Sequence, residues 1–216
     1  MEHVNVLILG GHGKIALRLE RLLAGRGDNV RGLVRNPDHF EDVSAAGAQP
    51  VLADLESDVE LGPAVAGADA VVFAAGAGAG SGSERKRTMD LGGAVRLIEA
   101  AKDAGIGRYV IVSSMGADHP EQASGGFRAY LAAKSKADNA LRESGLDYTI
   151  MRPGSLTDDP GTGTVDISER LGRRGQIPRD DVAAVLVAVL DAPNTVGKTF
   201  ELLSGSTPIA EAVGAL

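Results

Sequence analysis

Short apolar runs and helix-period stretches alternate along the chain. Runs at 4–9, 29–34, 50–53, 70–75, 109–112, 148–151 and 199–203 have the length and bordering turn residues of buried strands. Between them, apolar residues recur three and four positions apart. At 14–25, Ile15, Leu19, Leu22 and Leu23 fall on one helix face. Further helices are predicted at 37–46, opened by Pro37, and at 58–66, 88–104, 127–144 and 179–190, with Gly105 and Gly145 closing the third and fourth of this set. A small-residue loop occupies 74–83, and 152–178 shows no firm period. The alternation predicts an α/β fold of the Rossmann type, a doubly wound parallel sheet flanked by helices. Residues 152–178 and 193–216 are expected to form a short flap on the substrate side of the same domain. The 216 residues show no linker and suit one domain.

The first strand runs directly into Leu9-Gly10-Gly11-His12-Gly13-Lys14-Ile15-Ala16 and then a helix. Open α/β sheets bind dinucleotides at such a junction. Gly10 permits the tight turn, Gly13 lets the backbone approach a pyrophosphate, and Ala16 is small enough for close helix–strand packing. The anion then rests on free N–H groups at the helix start. The spacing is G-x-x-G-x-x-A, with Gly11 as an additional glycine. A turn that binds nothing could carry the same glycines, but its place after the first strand favours a dinucleotide. The end of the second strand bears on which one. NAD sites place Asp or Glu there, about 20 residues past the glycines. This chain has Leu33-Val34-Arg35-Asn36-Pro37 instead. A guanidinium can grip a 2′-phosphate that a carboxylate would repel, so NADP is expected, with NAD as the second choice. Arg35 as a solvated loop residue is the competing reading. Asp54 and Leu55, after the third strand, are expected beside the adenine; Asp54 has the alternative of capping the segment that follows.

Further motifs extend this reading: V-R-N-P at 34–37, V-F-A-A-G at 72–76, L-I-E-A-A-K-D-A-G-I at 97–106, V-I-V-S-S at 110–114, Tyr130-x-x-x-Lys134, M-R-P-G at 151–154 and R-D-D-V-A at 179–183. With the glycine turn, they resemble the atypical short-chain dehydrogenase/reductase family, in its NmrA-like and biliverdin/flavin-reductase-like branch, over nearly the whole chain. The resemblance implies that Gly10, His12, Gly13, Lys14 and Ile15 meet the pyrophosphate and that Arg35 holds the 2′-phosphate. It also implies that Ala74, Ala75 and Gly76 line the adenosine ribose, and that Pro153 and Gly154 sit near the nicotinamide. Asp90 falls where relatives place Asn or Asp, with no definite catalytic role.

Carbonyl reduction needs a proton donor at the oxygen as hydride reaches carbon. Tyr130 and Lys134 are spaced i, i+4 on a predicted helix, so the ammonium could favour the tyrosinate. Lys134 could also bond the nicotinamide ribose. Ser113 and Ser114 end the fifth strand at the sheet's carboxyl edge, the former beside the cofactor and the latter as the hydroxyl orienting the substrate oxygen. The catalytic set read here is Ser114, Tyr130 and Lys134. Against it stands a Tyr-x-x-x-Lys on an ordinary helix face, and members of the branch keep the fold without using the tyrosine as an acid.

Composition narrows the rest. The chain has no cysteine, so thiolate metal sites and disulfides are excluded, and its four histidines show no metal spacing; no metal is expected. A net charge of −7 argues against nucleic acid. No apolar run reaches the ~20 residues of a membrane span, and no signal peptide is evident, so a cytoplasmic location without membrane partners is expected. The stretch after Arg152 is too short for a deep sugar-nucleotide pocket. The leading reading is a reductase of a small carbonyl, quinone or flavin-like substrate. A non-catalytic dinucleotide sensor and an NAD-dependent epimerase or dehydratase are the alternatives.

Overall fold

The computed structural model describes residues 3–57, 60–76 and 86–216. Its strands are β1 (Asn5–Leu9), β2 (Asn29–Val34), β3 (Gln49–Leu52), β4 (Ala70–Phe73), β5 (Arg108–Val112), β6 (Asp147–Pro153), β7 (Ser155–Thr157), β8 (Thr164–Ser168), β9 (Gln176–Pro178), β10 (Lys198–Ser204) and β11 (Thr207–Pro208). Helices are α1 (Lys14–Gly25), α2 (Phe40–Ala45), α3 (Gly62–Val65), α4 (Ala94–Asp103), α5 (Gly125–Glu143), α6 (Arg179–Asp191) and α7 (Ile209–Gly214). The main sheet runs β3-β2-β1-β4-β5-β6-β10-β8-β11. Its first seven strands are parallel, and β8 and β11 close it antiparallel. The strand order reverses direction at β1 and β4, where such sheets open a crevice at their carboxyl ends.

Helices cover both faces, so the central strands bury both sides and read as unbroken apolar runs. On one face, Val6, Ile8, Val72 and Val110 pack against Ile15, Leu19 and Leu23 of α1 and Val182, Leu186 and Val189 of α6. On the other, Leu7, Phe73, Tyr109 and Ile111 meet Val65 of α3, Leu97 and Ile98 of α4, and Leu141 of α5. No helix among the described residues is long and apolar enough to cross a membrane.

Several elements differ from the pattern-based expectation. Leu22, expected on the buried face of α1, is 44% exposed. The helix expected at 37–46 divides into a 3-10 turn, Pro37–His39, and α2. The long helix expected at 88–104 begins as a π-helical segment, Lys86–Gly93, before α4. The stretch 152–178 contains β7, β8 and β9; β8 joins the main sheet, while β7 and β9 pair with each other. Three-residue strands are too short for a period to show. Residues 58–59 of the expected third helix and 77–83 of the small-residue loop lie outside the described residues.

One residue of α1 breaks the amphipathic rule. Glu20 is fully buried, and neither carboxyl oxygen has a hydrogen-bond partner among the described residues. It fits because β2 carries a glycine opposite it: a Cβ on Gly32 would lie 2.5 Å from Glu20 Oε1 and 2.8 Å from Val43 Cγ1. Burial pushes the carboxyl up to about 8 against the opposing pull of Arg21. In the unfolded chain the same group ionises near its ordinary value of 4.5. Between those values the folded state keeps a proton that the unfolded state has lost, so stability falls as pH rises across the window. Thermal denaturation between pH 5 and 9 should therefore show a falling Tm. Glu20→Gln should flatten that decline and be the more stable protein at pH 8, by a few kcal/mol at most. Parallel Tm profiles for the two proteins would contradict it.

Candidate functional site

The glycine turn sits where β1 meets α1. Gly10 adopts φ +80°, and a Cβ there would come within 2.7 Å of Ala75 Cα at the end of β4. The turn therefore lies flush against the neighbouring strand end, which only glycine allows. Gly13 N–H donates to the Gly10 carbonyl at 2.6 Å, and Gly11 N–H to Leu33 O at 3.0 Å. Gly13 is the residue before α1 and has no side chain to cap it, so the first amides of the helix stay open to an anion. Ile15 turns its side chain into the core, leaving only its backbone at this turn. Lys14 points outward and pairs with Asp158 at 2.5 Å, a carboxylate also held by Arg179 at 2.8 Å. Those ion pairs hold Asp158, which is exposed, below the usual carboxylate range, with the Lys14 hydrogen bond as the largest cause.

An open cleft runs from this turn along the strand ends. Gly10, His12 and Gly13 form one wall, Leu33, Val34 and Arg35 a second, and Ala53, Leu55, Ala74, Ala75 and Gly76 the floor. The structure gathers half of the expected cofactor residues around this space: Gly10, His12, Gly13, Arg35, Leu55, Ala74, Ala75 and Gly76; Gly11, Lys14, Ile15, Asp54, Ser113, Lys134, Pro153 and Gly154 do not line it. Arg35 projects at its rim, 45% exposed, with its guanidinium 3.4 Å from Glu56 Oε2. Asp54 does not turn toward the cleft lining; its carboxylate accepts the Glu56 N–H at 2.9 Å, the capping alternative. The sequence reading missed His39, which lines the same cleft and stacks on His12 with ring centres 3.7 Å apart. His12 is fixed from its other side by Asp42 at 2.7 Å. Pro37, which opens the turn carrying His39, was the available signal.

Gly154 and Pro153 lie at the end of β6. Pro153 is buried and its carbonyl accepts the Met115 N–H at 3.1 Å, while Gly154 N–H donates to Leu202 O at 3.0 Å. The two serines part company. Ser114 is half-buried and donates to the Met115 carbonyl at 3.3 Å. Ser113 is turned inward and donates to Asp138 at 3.0 Å.

Tyr130 and Lys134 share a face of α5, with the ammonium 5.8 Å from the ring centre. Tyr130 is half-buried and stacks on the exposed Phe127. Lys134 is only 3% exposed. Its ammonium lies 3.2 Å from Asp90 and donates to the Val112 carbonyl at 3.0 Å and the Ala75 carbonyl at 3.5 Å. Burial works against this charge, but the Tyr130 oxygen, Asp90 and Asp138 outweigh it and hold the ammonium above its ordinary value. Behind it, buried Asp138 accepts two bonds from Arg152, at 3.0 and 2.8 Å, and Arg152 reaches Asp118 at 2.5 Å. Burial raises the Asp138 carboxyl in spite of that guanidinium. The sequence reading did not single out Asp138 or Arg152. Their signals were an i, i+4 continuation of Tyr130 and Lys134, and a charge set inside an apolar strand, which requires a partner.

Comparison with known proteins reports the same architecture. Residues 10–193 match the family model described as NAD(P)H-binding. The chain belongs to this NAD(P)H-binding family. The motifs that resemble atypical short-chain dehydrogenases/reductases, from the glycine turn to 179–183, all lie within the matched range. Among its relatives is YhfK of Bacillus subtilis (strain 168), named an uncharacterized sugar epimerase, 43% identical over 97% of this chain and 99% of YhfK. A Bacillus halodurans structure described as a candidate NAD-dependent epimerase/dehydratase superposes with a TM-score of 0.94 at 41% identity, covering 99% of this chain and 100% of that one. ChuY of Escherichia coli O157:H7, described as an anaerobilin reductase, superposes with a TM-score of 0.79 at 26% identity, covering 93% of this chain and 97% of ChuY. The cleft described above has the features that dinucleotide binding requires: close backbone approach at Gly10, open amides at the start of α1, and a cation at the rim.

The Lys134–Asp90 contact has a measurable consequence. Removing one member of a buried ion pair leaves the other's charge without its counterion, at a cost of about 3–5 kcal/mol. Lys134→Met should lower unfolding stability by this order in urea titrations. The double variant Asp90→Asn/Lys134→Met should recover part of the loss, since neither charge remains. Additive losses would show that the two groups do not act as a pair.

Proposed function

We propose that the chain is an NADPH-dependent reductase of a small carbonyl, quinone or flavin-like acceptor. The observation that carries this reading is the cleft in which the open glycine turn faces Arg35, with no carboxylate from the end of β2 at that position. Gly10, Gly11, His12 and Gly13, with the backbone of Lys14 and Ile15, would hold the pyrophosphate. Arg35 would take the 2′-phosphate in place of Glu56. Ala74, Ala75 and Gly76 would face the adenosine ribose, Leu55 would border the adenine while Asp54 caps the segment behind it, and Ser113, Pro153 and Gly154 would back the nicotinamide side. When bound, the nicotinamide supplies hydride to the acceptor.

Tyr130 is the proposed proton donor. It is half-exposed on α5, with the buried Lys134 ammonium 5.8 Å from its ring centre. Lys134 serves it from behind, and Ser114 is the hydroxyl proposed to orient a carbonyl oxygen. A second reading, epimerase or dehydratase, is favoured by one observation, the naming of the B. subtilis and B. halodurans relatives. It expects NAD to remain bound through purification, which mass spectrometry of released ligands detects.

Fluorescence titration should show NADPH binding more tightly than NADH, and Arg35→Glu should reverse the order. Equal affinities in the wild type would remove the NADP preference. In turnover assays, Tyr130→Phe should leave NADPH affinity within a few-fold while slowing carbonyl reduction ~100-fold or more, the usual worth of a positioned acid. Quinone or flavin reduction should be spared, because those acceptors can take their proton from water. Undiminished carbonyl reduction in Tyr130→Phe would strip the tyrosine of its role.

A further inference from the structure

Glu20 has no part in the reading above, yet it lies directly beneath the turn. A Cβ on Gly11 would be 3.0 Å from its Oε1 and 2.9 Å from the Gly32 backbone. The additional glycine of the turn and the glycine inside β2 therefore face the same buried carboxyl from two sides. Val43 of α2 crowds the same point, 2.8 Å from a Cβ built on Gly32. The opposing charge that acts on Glu20 is Arg21, its neighbour in α1. Charges on the surrounding elements are engaged elsewhere: on α6, which packs on α1, Asp180 pairs with Arg18 at 2.5 Å, Asp191 pairs with Arg26 at 2.6 Å, and Asp181 accepts the Thr162 N–H at 3.0 Å. Arg31 of β2 bonds the Ala66 carbonyl at 2.9 Å, Asp42 of α2 bonds His12 at 2.7 Å, and Glu41 is exposed. Nothing among the described residues hydrogen-bonds either oxygen, so ionisation here would place an uncompensated negative charge behind the amides that receive the pyrophosphate.

We propose that Glu20 is a proton-linked control on dinucleotide binding, its neutral form permitting tight capture of the pyrophosphate and its ionised form weakening it. The inference rests on the cofactor reading of the turn. Because two negative charges disfavour one another across a thin protein layer, a bound pyrophosphate raises the proton affinity of Glu20, and Glu20 ionisation lowers affinity for the pyrophosphate by the same factor. The free carboxyl already titrates high, at about 8, so the coupling falls within an accessible range. The effect does not depend on the 2′-phosphate, so NADH and NADPH should show it equally.

Calorimetric titration of NADPH and NADH between pH 6.5 and 9.5, in buffers of differing ionisation enthalpy, tests this directly. In the wild type, affinity should fall about tenfold for both nucleotides across the range, the order expected for one charge acting on another through protein. Binding near pH 8.5 should take up protons. Glu20→Gln should bind both nucleotides with a flat profile over the same range and without the uptake; Glu20→Leu is a second neutral variant should the amide fold poorly. Identical pH profiles in the wild type and a neutral variant would overturn the proposal while leaving the cofactor site intact. Absence of proton uptake in the wild type would overturn it without any variant. Failure of either nucleotide to bind at any pH would remove the cofactor reading and this inference together.

Discussion

An ammonium withdrawn from water must be surrounded by acceptors, and the carboxyl edge of this sheet is organised by that requirement. Lys134 reaches from α5 to the last carbonyl of β5, to Ala75 just past β4 and to Asp90 in the π-helical segment before α4. Withdrawing such a charge costs several kcal/mol, and only a near-complete set of partners offsets it. Four separate pieces of chain are thereby held in one relative position. They include the end of β4, one of the two strands at the crevice, and the residue just past it, Ala75, against which Gly10 is pressed. The glycine turn, the cleft floor and the face carrying Tyr130 all inherit their geometry from this buried contact.

The same requirement propagates inward. Asp90, Lys134, Asp138, Arg152 and Asp118 alternate in sign from the cleft floor to the outer loop. Each buried member has an opposite charge beside it, and Ser113 adds a hydroxyl to Asp138, the buried one of the two carboxylates that face Arg152. A network of this kind rigidifies the elements it joins, since no member can move without exposing another's charge. It also accounts for the difference between the two adjacent serines: Ser113 completes the network, while Ser114 stays half-buried and bonds the Met115 carbonyl.

The sheet and its principal helices were legible because their signals are long and regular. Residues 14–25 and 29–34 carry clear periods, and α1 and β2 occupy the same spans. The short strands β7, β9 and β11 were not legible, because two or three residues carry no period and their pairing is a tertiary matter. In the candidate site, the glycine turn and Arg35 could be read from local spacing. His39, Asp138, Arg152 and Glu20 could not be read that way. Their positions depend on partners 14 to 34 residues away or on a glycine in another strand, and a single sequence shows the residue but not what faces it.

The two borders of the main sheet share a feature that concerns neither cofactor nor substrate. β3 at one side is four residues long, and β11 at the other is two. Each contains a proline, Pro50 and Pro208, which has no N–H to offer a further strand. A nine-stranded sheet with open, regular borders would invite another chain to extend it. Here both borders end in a short strand with a missing donor, so the same sheet that supports the crevice is a poor template for edge-to-edge aggregation.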